Sequence, residues 1–322
     1  MKHIITTEQA GERLDKVLAL VASASRAEVQ KWVDAGMVLL DEKTAKKSSV
    51  KVKEGQSMTW EPAPSTAKEE AIEIEKEDPK GVNTFGIQVV AEENDYIVIN
   101  KPMGLLVHPT DADESNTLAR WITETYPEIA KVGEDVRRPG IMHRLDKDAS
   151  GLMVIARTQK MYDHLKMQFQ SRQVHKVYAV LVQGTIETDH DVITFEIDRG
   201  RDGKMAARPH IDTLKLKNIG KVQEGKEAIT EFDVLERYAN STLLKVKIHT
   251  GRTHQIRVHM FAYAHPVVGD TIYQQKRDQY KEKMVRLFLH ASELGFTDLS
   301  GGEQVYTSVL PKDLQAYLDS LN

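Results

Sequence analysis

Three segments of this 322-residue chain combine acids, bases and aromatics at spacings that can do chemistry. The first is His143-Arg144-Leu145-Asp146-Lys147-Asp148-Ala149-Ser150-Gly151, followed at once by the apolar run LMVIA. A charged cluster entering a buried strand is costly unless its members pair with each other or do work. The same residue types read equally well as a polar turn, Asp148 to Gly151, leading into a core strand. The second segment, Thr250 to His259, places two arginines, two histidines and a glutamine at the start of a helix. Such a group suits phosphates or a partner carboxylate. The third, Lys176 to Val182, sets Lys176 and Tyr178 on an alternating strand and carries little weight alone.

Other chemistries are disfavoured by what the chain lacks. With no cysteine, thiolate nucleophiles, disulfides and Cys-ligated zinc are excluded. His254 and His259 stand five apart, whereas two zinc ligands on one helical face stand four apart. His108, His143 and His290 lie in separate segments, so no metal site is expected. A hydrolase using Asp146 with His143 or His254 would lack a nucleophile motif such as G-x-S-x-G.

The elements around these segments alternate between strand and helix patterns. FGIQVVAEENDYIVINKP reads as two strands about an Asn94-Asp95 turn. Leu118, Trp121 and Ile122 share one helical face. GLMVIART is a short apolar strand, after which Thr158 caps a helix running to about Gln170. KVYAVLVQG, VITFEID, AITEFDVLERY and STLLKVKIHT are rich in Val, Ile, Thr and Tyr and read as strands. THQIRVHMFAYA reads as a helix with Ile256, Met260 and Tyr263 on one side. The expected class is α+β: a large mixed, mostly antiparallel sheet with flanking helices.

A smaller module comes first, over residues 11–62. Leu14, Val17, Leu18 and Val21 recur at the spacing of one buried helical stripe. Ser25 and Glu28 form a capping-box signature for a second helix, which Gly36 ends. Residues 63–80, acidic and bracketed by Pro62, Pro64 and Pro79, read as a linker, leaving 81–322 as the main domain. The N-terminus has no apolar signal region and no stretch approaches a membrane span, so a cytoplasmic protein is expected. The formal net charge of −4 means that any basic, nucleic-acid-binding surface must be local.

Taken together, HRLDKDASG, KVYAVLVQG and TGRTHQIRVH resemble the RluA-type (RluD-like) family of RNA pseudouridine synthases. DYIVINKPMGLLVHP, HPVVGDTIYQ and RLFLHASELGF are similar to further segments of that family, in the right order. Residues 11–62 resemble an S4 RNA-binding domain. Ala149 departs from the pattern, standing where the family usually has Thr.

The resemblance implies an isomerase that turns uridines of structured RNA into pseudouridine, most naturally in large-subunit ribosomal RNA or a ribosomal precursor particle. It implies Asp146 as the catalytic carboxylate, Arg252 as its charge partner with Arg257 as second choice, and Tyr178 against the target base. Arg144 would take the place of the extruded uridine. His143, His254 and Lys176 join Arg257 as substrate contacts. In the S4-like module Arg13, Arg26, Lys31, Lys46 and Lys47 would meet phosphates, and the glycine-flanked basic stretch RGRDGKMAARP could grip RNA beside the site. An isomerisation needs no cofactor, and a monomer is usual for similar proteins. A transfer RNA synthase and a non-catalytic S4-type RNA-binding protein are the alternatives.

Overall fold

The computed structural model describes residues 2–22, 29–30, 32–33, 35–60, 85–109, 116–200, 202–208, 225–274 and 286–321. The chain divides into two compact units, Met1–Lys76 and Glu77–Asn322. The expected linker over 63–80 lies outside the described residues, as do Ser25 and Glu28.

Unit 1 has a four-stranded antiparallel sheet built from β1 (Lys2–Ile4), β2 (Val38–Leu40), β3 (Lys43–Thr44) and β4 (Ser57–Trp60), in the order β1-β4-β2-β3. Helix α1 spans Leu14–Ala22. Its Leu14, Val17 and Leu18 join Val29, Val33, Val38, Val52, Met58 and Trp60 in one small core, so the apolar stripe legible in the sequence is the buried face.

Unit 2 is organised by one nine-stranded sheet. Strands β5 (Gln88–Glu92), β6 (Tyr96–Lys101) and β7 (Ser150–Ala156) form one side. Strands β8 (His175–Gln183), β9 (His190–Ile193), β12 (Thr230–Tyr238) and β13 (Ser241–Ile248) form the other. Between them runs β14 (Leu289–Thr297), giving the order β5-β6-β7-β14-β8-β13-β12-β9, with β15 (Glu303–Thr307) added against β14. Every pairing is antiparallel except β7 with β14, where Ser150 and Gly151 lie beside His290 and Ala291. Only glycine fits at 151: its φ is +121°, and a Cβ there would meet the Ala291 backbone at 2.4 Å.

Residues 192–198, expected as one strand, fall in two: β9 and then β10 (Glu196–Arg199), which leaves the main sheet to pair with β11 (Met205–Arg208) as a separate hairpin. Helix α2 (Leu118–Thr125) buries Leu118, Trp121 and Ile122 against the sheet core, and α3 (Gln159–Gln170) starts at Thr158, whose hydroxyl accepts the Met161 amide. Helix α4 spans Gln255–Ala262 and buries Ile256, Arg257 and Met260, while α5 (Lys312–Asp319) buries Leu314 and Leu318.

Candidate active site

Asp146 lies on the loop that enters β7, and that loop is fastened from several directions. Leu145 and Ala149 are buried, and the Ala149 amide closes a turn onto the Asp146 carbonyl at 3.2 Å. At the end of β6 the wholly buried Lys101 ammonium donates to the carbonyls of Pro102, Leu105 and Lys147 at 2.8, 2.9 and 3.2 Å. Burial pushes the Lys101 pKa down to about 7, against the opposing pull of Asp146 and Asp148. On the far side, the Ser150 hydroxyl accepts from Arg286 at 2.7 Å and is hydrogen-bonded to His290 Nδ1 at 2.9 Å. Arg286 also pairs with Asp313 of α5 at 3.0 Å.

The charge partner of Asp146 is Arg257. Its Nη1 reaches Asp146 Oδ2 at 3.2 Å, while Nε and Nη2 form a bidentate pair with Asp270 at 2.7 and 2.9 Å. Both Arg257 and Asp270 are buried, with side chains 3% and 0% exposed. Burial opposes the Arg257 charge, yet Asp270 and Asp146 together hold its pKa above the ordinary value. Clamping by Asp270 leaves one guanidinium edge aimed at Asp146.

This corrects the expectation for Arg252. Helix α4 begins at Gln255, so Arg252 precedes it, and its Nε donates to the Glu227 carbonyl at 2.9 Å. Arg257, inside the first turn, faces the carboxylate. Arg252 still lines the cleft.

That cleft is lined by Asp146, Arg144, Tyr178, Arg252, His254 and Arg257, among others. Tyr178, on β8, is buried, and both burial and the Asp146 charge raise its pKa. Its phenol is therefore a proton-bearing group beside the carboxylate. Arg144 is exposed at the mouth and has no ion pair among the described residues. His254 Nε2 lies 4.0 Å from Asp146 Oδ1, and burial lowers its pKa.

His143 and Lys176 stand apart from the other expected contacts. The His143 ring stacks on Phe169, with centroids 4.6 Å apart, and its Nε2 accepts the Val154 amide of β7 at 3.1 Å. Burial and the charge of Lys176 push its pKa down to about 3, so it is a neutral ring packed behind the loop and not a lining residue of the cleft. Lys176, lowered to about 8 by burial, rests over the Phe169 ring at 5.6 Å. Among the described residues no group of three or more His, Asp or Glu is placed to hold a metal ion, and no helix is long and apolar enough to cross a membrane.

The family model for RNA pseudouridylate synthase matches residues 95–262, more than half of the chain and the whole span from β6 through α4. The chain belongs to the RNA pseudouridine synthase family. A second family model, the S4 domain, matches residues 12–57 of this synthase. It is 38% identical over 91% of its length to a protein of Aquifex aeolicus named "Uncharacterized RNA pseudouridine synthase", covering 88% of that protein. It is 35% identical over 98% of its length to "Ribosomal large subunit pseudouridine synthase D" of Neisseria meningitidis, covering 80% of it. Among solved structures, "Human RNA Pseudouridylate Synthase Domain Containing 4" superposes with a TM-score of 0.59 at 25% identity, over 73% of this chain and 92% of that one.

Two residues that hold cleft side chains from behind escaped the reading of the sequence. Asp270 follows Gly269, whose φ of +76° and contact with the Arg286 carbonyl admit no side chain. Tyr273, three residues on, donates or accepts at His254 and accepts the Met205 amide of β11. In the S4 domain, Arg13 is paired with Asp15 at 2.8 Å, while Lys46 and Lys47 are exposed. Arg26 and Lys31 lie outside the described residues.

Proposed function

We propose that this synthase acts in the cytoplasm, as a monomer, on specific uridines of large-subunit ribosomal RNA, with Asp146 as its catalytic carboxylate. The RNA class is supported by relatives such as the one from Neisseria meningitidis, whose name specifies the ribosomal large subunit, at 35% identity over nearly the whole chain. One observation carries the assignment of Asp146: a carboxylate lining the cleft with one oxygen engaged by a buried arginine and the other 4.0 Å from His254 Nε2.

Pseudouridine formation breaks the bond from C1′ to N1, turns the uracil and rejoins it at C5. N1 ends with a proton and C5 loses one, so no oxidant is consumed. The carboxylate acts at C1′, on the base, or as a base at C2′. In each route Oδ1 is the reacting oxygen, because Oδ2 holds Arg257. Tyr178 supplies a flat face for the uracil and a phenol for proton transfer. Extruding a base from its stack costs a few kcal/mol. Arg144, free at the mouth, offers a planar guanidinium to fill the gap.

Replacing Asp146 with Asn tests the assignment. Turnover on target RNA should vanish while affinity stays within a few-fold. Substantial remaining activity would sink it. Mapping pseudouridines in RNA from cells lacking the synthase tests the substrate: lost sites in the large subunit support the reading, and lost sites confined to transfer RNA overturn it.

A further inference from the structure

His254 sets its Nε2 4.0 Å from the Asp146 oxygen that Arg257 does not bond, and it has no task in the chemistry set out above. It sits just before α4 in the left-handed backbone region, at φ 56° and ψ 23°. Side chains seldom tolerate that region, and its occupants concentrate at functional sites. The conformation brings Nε2 to 4.0 Å from Asp146 Oδ1 and Nδ1 to 2.9 Å from the Tyr273 hydroxyl.

The tautomer follows from the hydrogen-bond network. Tyr273 is buried, and its oxygen accepts the Met205 amide at 3.2 Å. A proton on His254 Nδ1 would leave the phenol's own proton without an acceptor among the described residues at this buried position, so the phenol donates to Nδ1 and the proton of the neutral imidazole sits on Nε2. That N–H points into the cleft.

A separation of 4.0 Å is too long for a hydrogen bond between Nε2 and Oδ1. It is the separation that a hydroxyl oxygen can bridge, about 2.8 Å from each group, accepting from one and donating to the other. On the nucleotide that reacts, the hydroxyl next to C1′ is the 2′-hydroxyl. We infer that His254 donates from Nε2 to the 2′-hydroxyl of the target uridine, which donates in turn to Asp146 Oδ1. His254 is then a ribose-reading residue, and the 2′-hydroxyl is the group that distinguishes RNA from DNA at a single site. Tyr273 is a positioning residue, acting by holding the tautomer.

This inference rests on Asp146 as the catalytic carboxylate, and a two-way comparison of protein and substrate separates the two. Single-turnover rates are measured for wild type and His254→Asn on a target RNA carrying either uridine or 2′-deoxyuridine at the reactive position. Asparagine tolerates the left-handed backbone, so the fold is kept, but its amide does not reach as far as Nε2. Each change alone should slow the reaction about tenfold, the worth of one such hydrogen bond, and the two together no more than either alone. Losses that multiply overturn the contact. If the 2′-deoxy target reacts too slowly to time, the same cycle is read from the affinity of each RNA for each protein.

His254→Gln, whose amide extends to the position of Nε2, should recover most of the rate. Recovery no better than His254→Asn overturns the donor role. Tyr273→Phe should slow wild type several-fold and leave His254→Asn unchanged, and a loss in both proteins removes the tautomer-holding role. Full activity in Asp146→Asn would overturn the catalytic reading itself. An inert Asp146→Asn with multiplying losses overturns only the contact to the 2′-hydroxyl.

Discussion

Arg257 and Arg144 carry the same guanidinium and line the same cleft, yet the floor and the mouth are built on different terms. At the floor, Arg257 is 3% exposed, and three of its nitrogens are committed to Asp270 and Asp146. At the mouth, Arg144 is exposed and without an ion pair among the described residues, and Arg252 gives its guanidinium one backbone carbonyl. Breaking a buried pair on one side leaves an uncompensated charge, whereas an exposed arginine is replaced at little cost to the fold. The floor is therefore fixed before substrate arrives. The mouth keeps its donors for RNA.

The sharpest way to break that contrast is at Asp270. Asp270→Ala should cost about 3–5 kcal/mol of stability, as one-sided loss of a buried pair does. It should also lower turnover by about a hundredfold or more, because Arg257 is then free to leave Asp146. Melting curves and single-turnover rates measured together decide this. A variant that melts lower but turns over normally would show that the clamp serves only the fold.

Arg144→Ala is the matching test at the mouth. Stability should stay within about 0.5 kcal/mol of wild type. Turnover should fall because the extruded uridine's gap is no longer filled, and a normal rate with weakened binding would confine Arg144 to RNA contact. Arg252→Ala should have the smaller effect of the pair, a few-fold loss of RNA affinity. Its signature is a salt dependence flatter by about 0.7–0.9, the slope of one phosphate contact. Titrations at several salt concentrations measure it, and a turnover defect larger than that of Arg257→Ala would reverse the assignment of the pair.

A separate effect is that of pH on the frame behind the floor. Burial pushes His290 down to about 4 and His143 to about 3, so both stay neutral in the folded protein while the unfolded chain takes up protons near 6.5. The unfolded state then binds more protons, and stability falls as pH drops from about 6.5 towards 4, by up to about 1.4 kcal/mol per pH unit for His290. Denaturant melts of wild type and His290→Asn across that range check it. A variant with the wild-type slope would relieve His290 of the role.

The reading of residue patterns reached the strands and helices that carry motifs, and Asp146, Tyr178 and Arg144, named through resemblance, line one cleft. It misassigned the arginine because Arg252 and Arg257 are five residues apart on a segment whose helix start could not be located. The difference is made by Gln255, whose side chain accepts the Arg252 amide and the Thr250 hydroxyl and so ends the loop there. Asp270 was not legible as a site residue, since an acid after glycine in HPVVGDTIY looks like any surface turn until its partner 13 residues away is known. His143 shows the opposite case: close to Asp146 in sequence, it does not line the cleft and accepts the Val154 amide of β7. Residues 192–198 read as one strand because periodicity does not reveal a change of sheet.

The brief parallel contact between β7 and β14 has a consequence for the order in which the protein is made. Asp146 and the loop around it leave the ribosome early, and β5, β6 and β7 can pair as soon as residue 156 is free. Ser150, however, waits for Arg286 and His290, and Gly151 for Ala291. The two sides of the sheet are joined only through a strand that starts at Leu289. Such long-range pairing is slow and comes late in folding. A nascent chain thus carries Asp146 for some 140 residues of synthesis before Arg286 and His290 arrive to complete the frame around its loop.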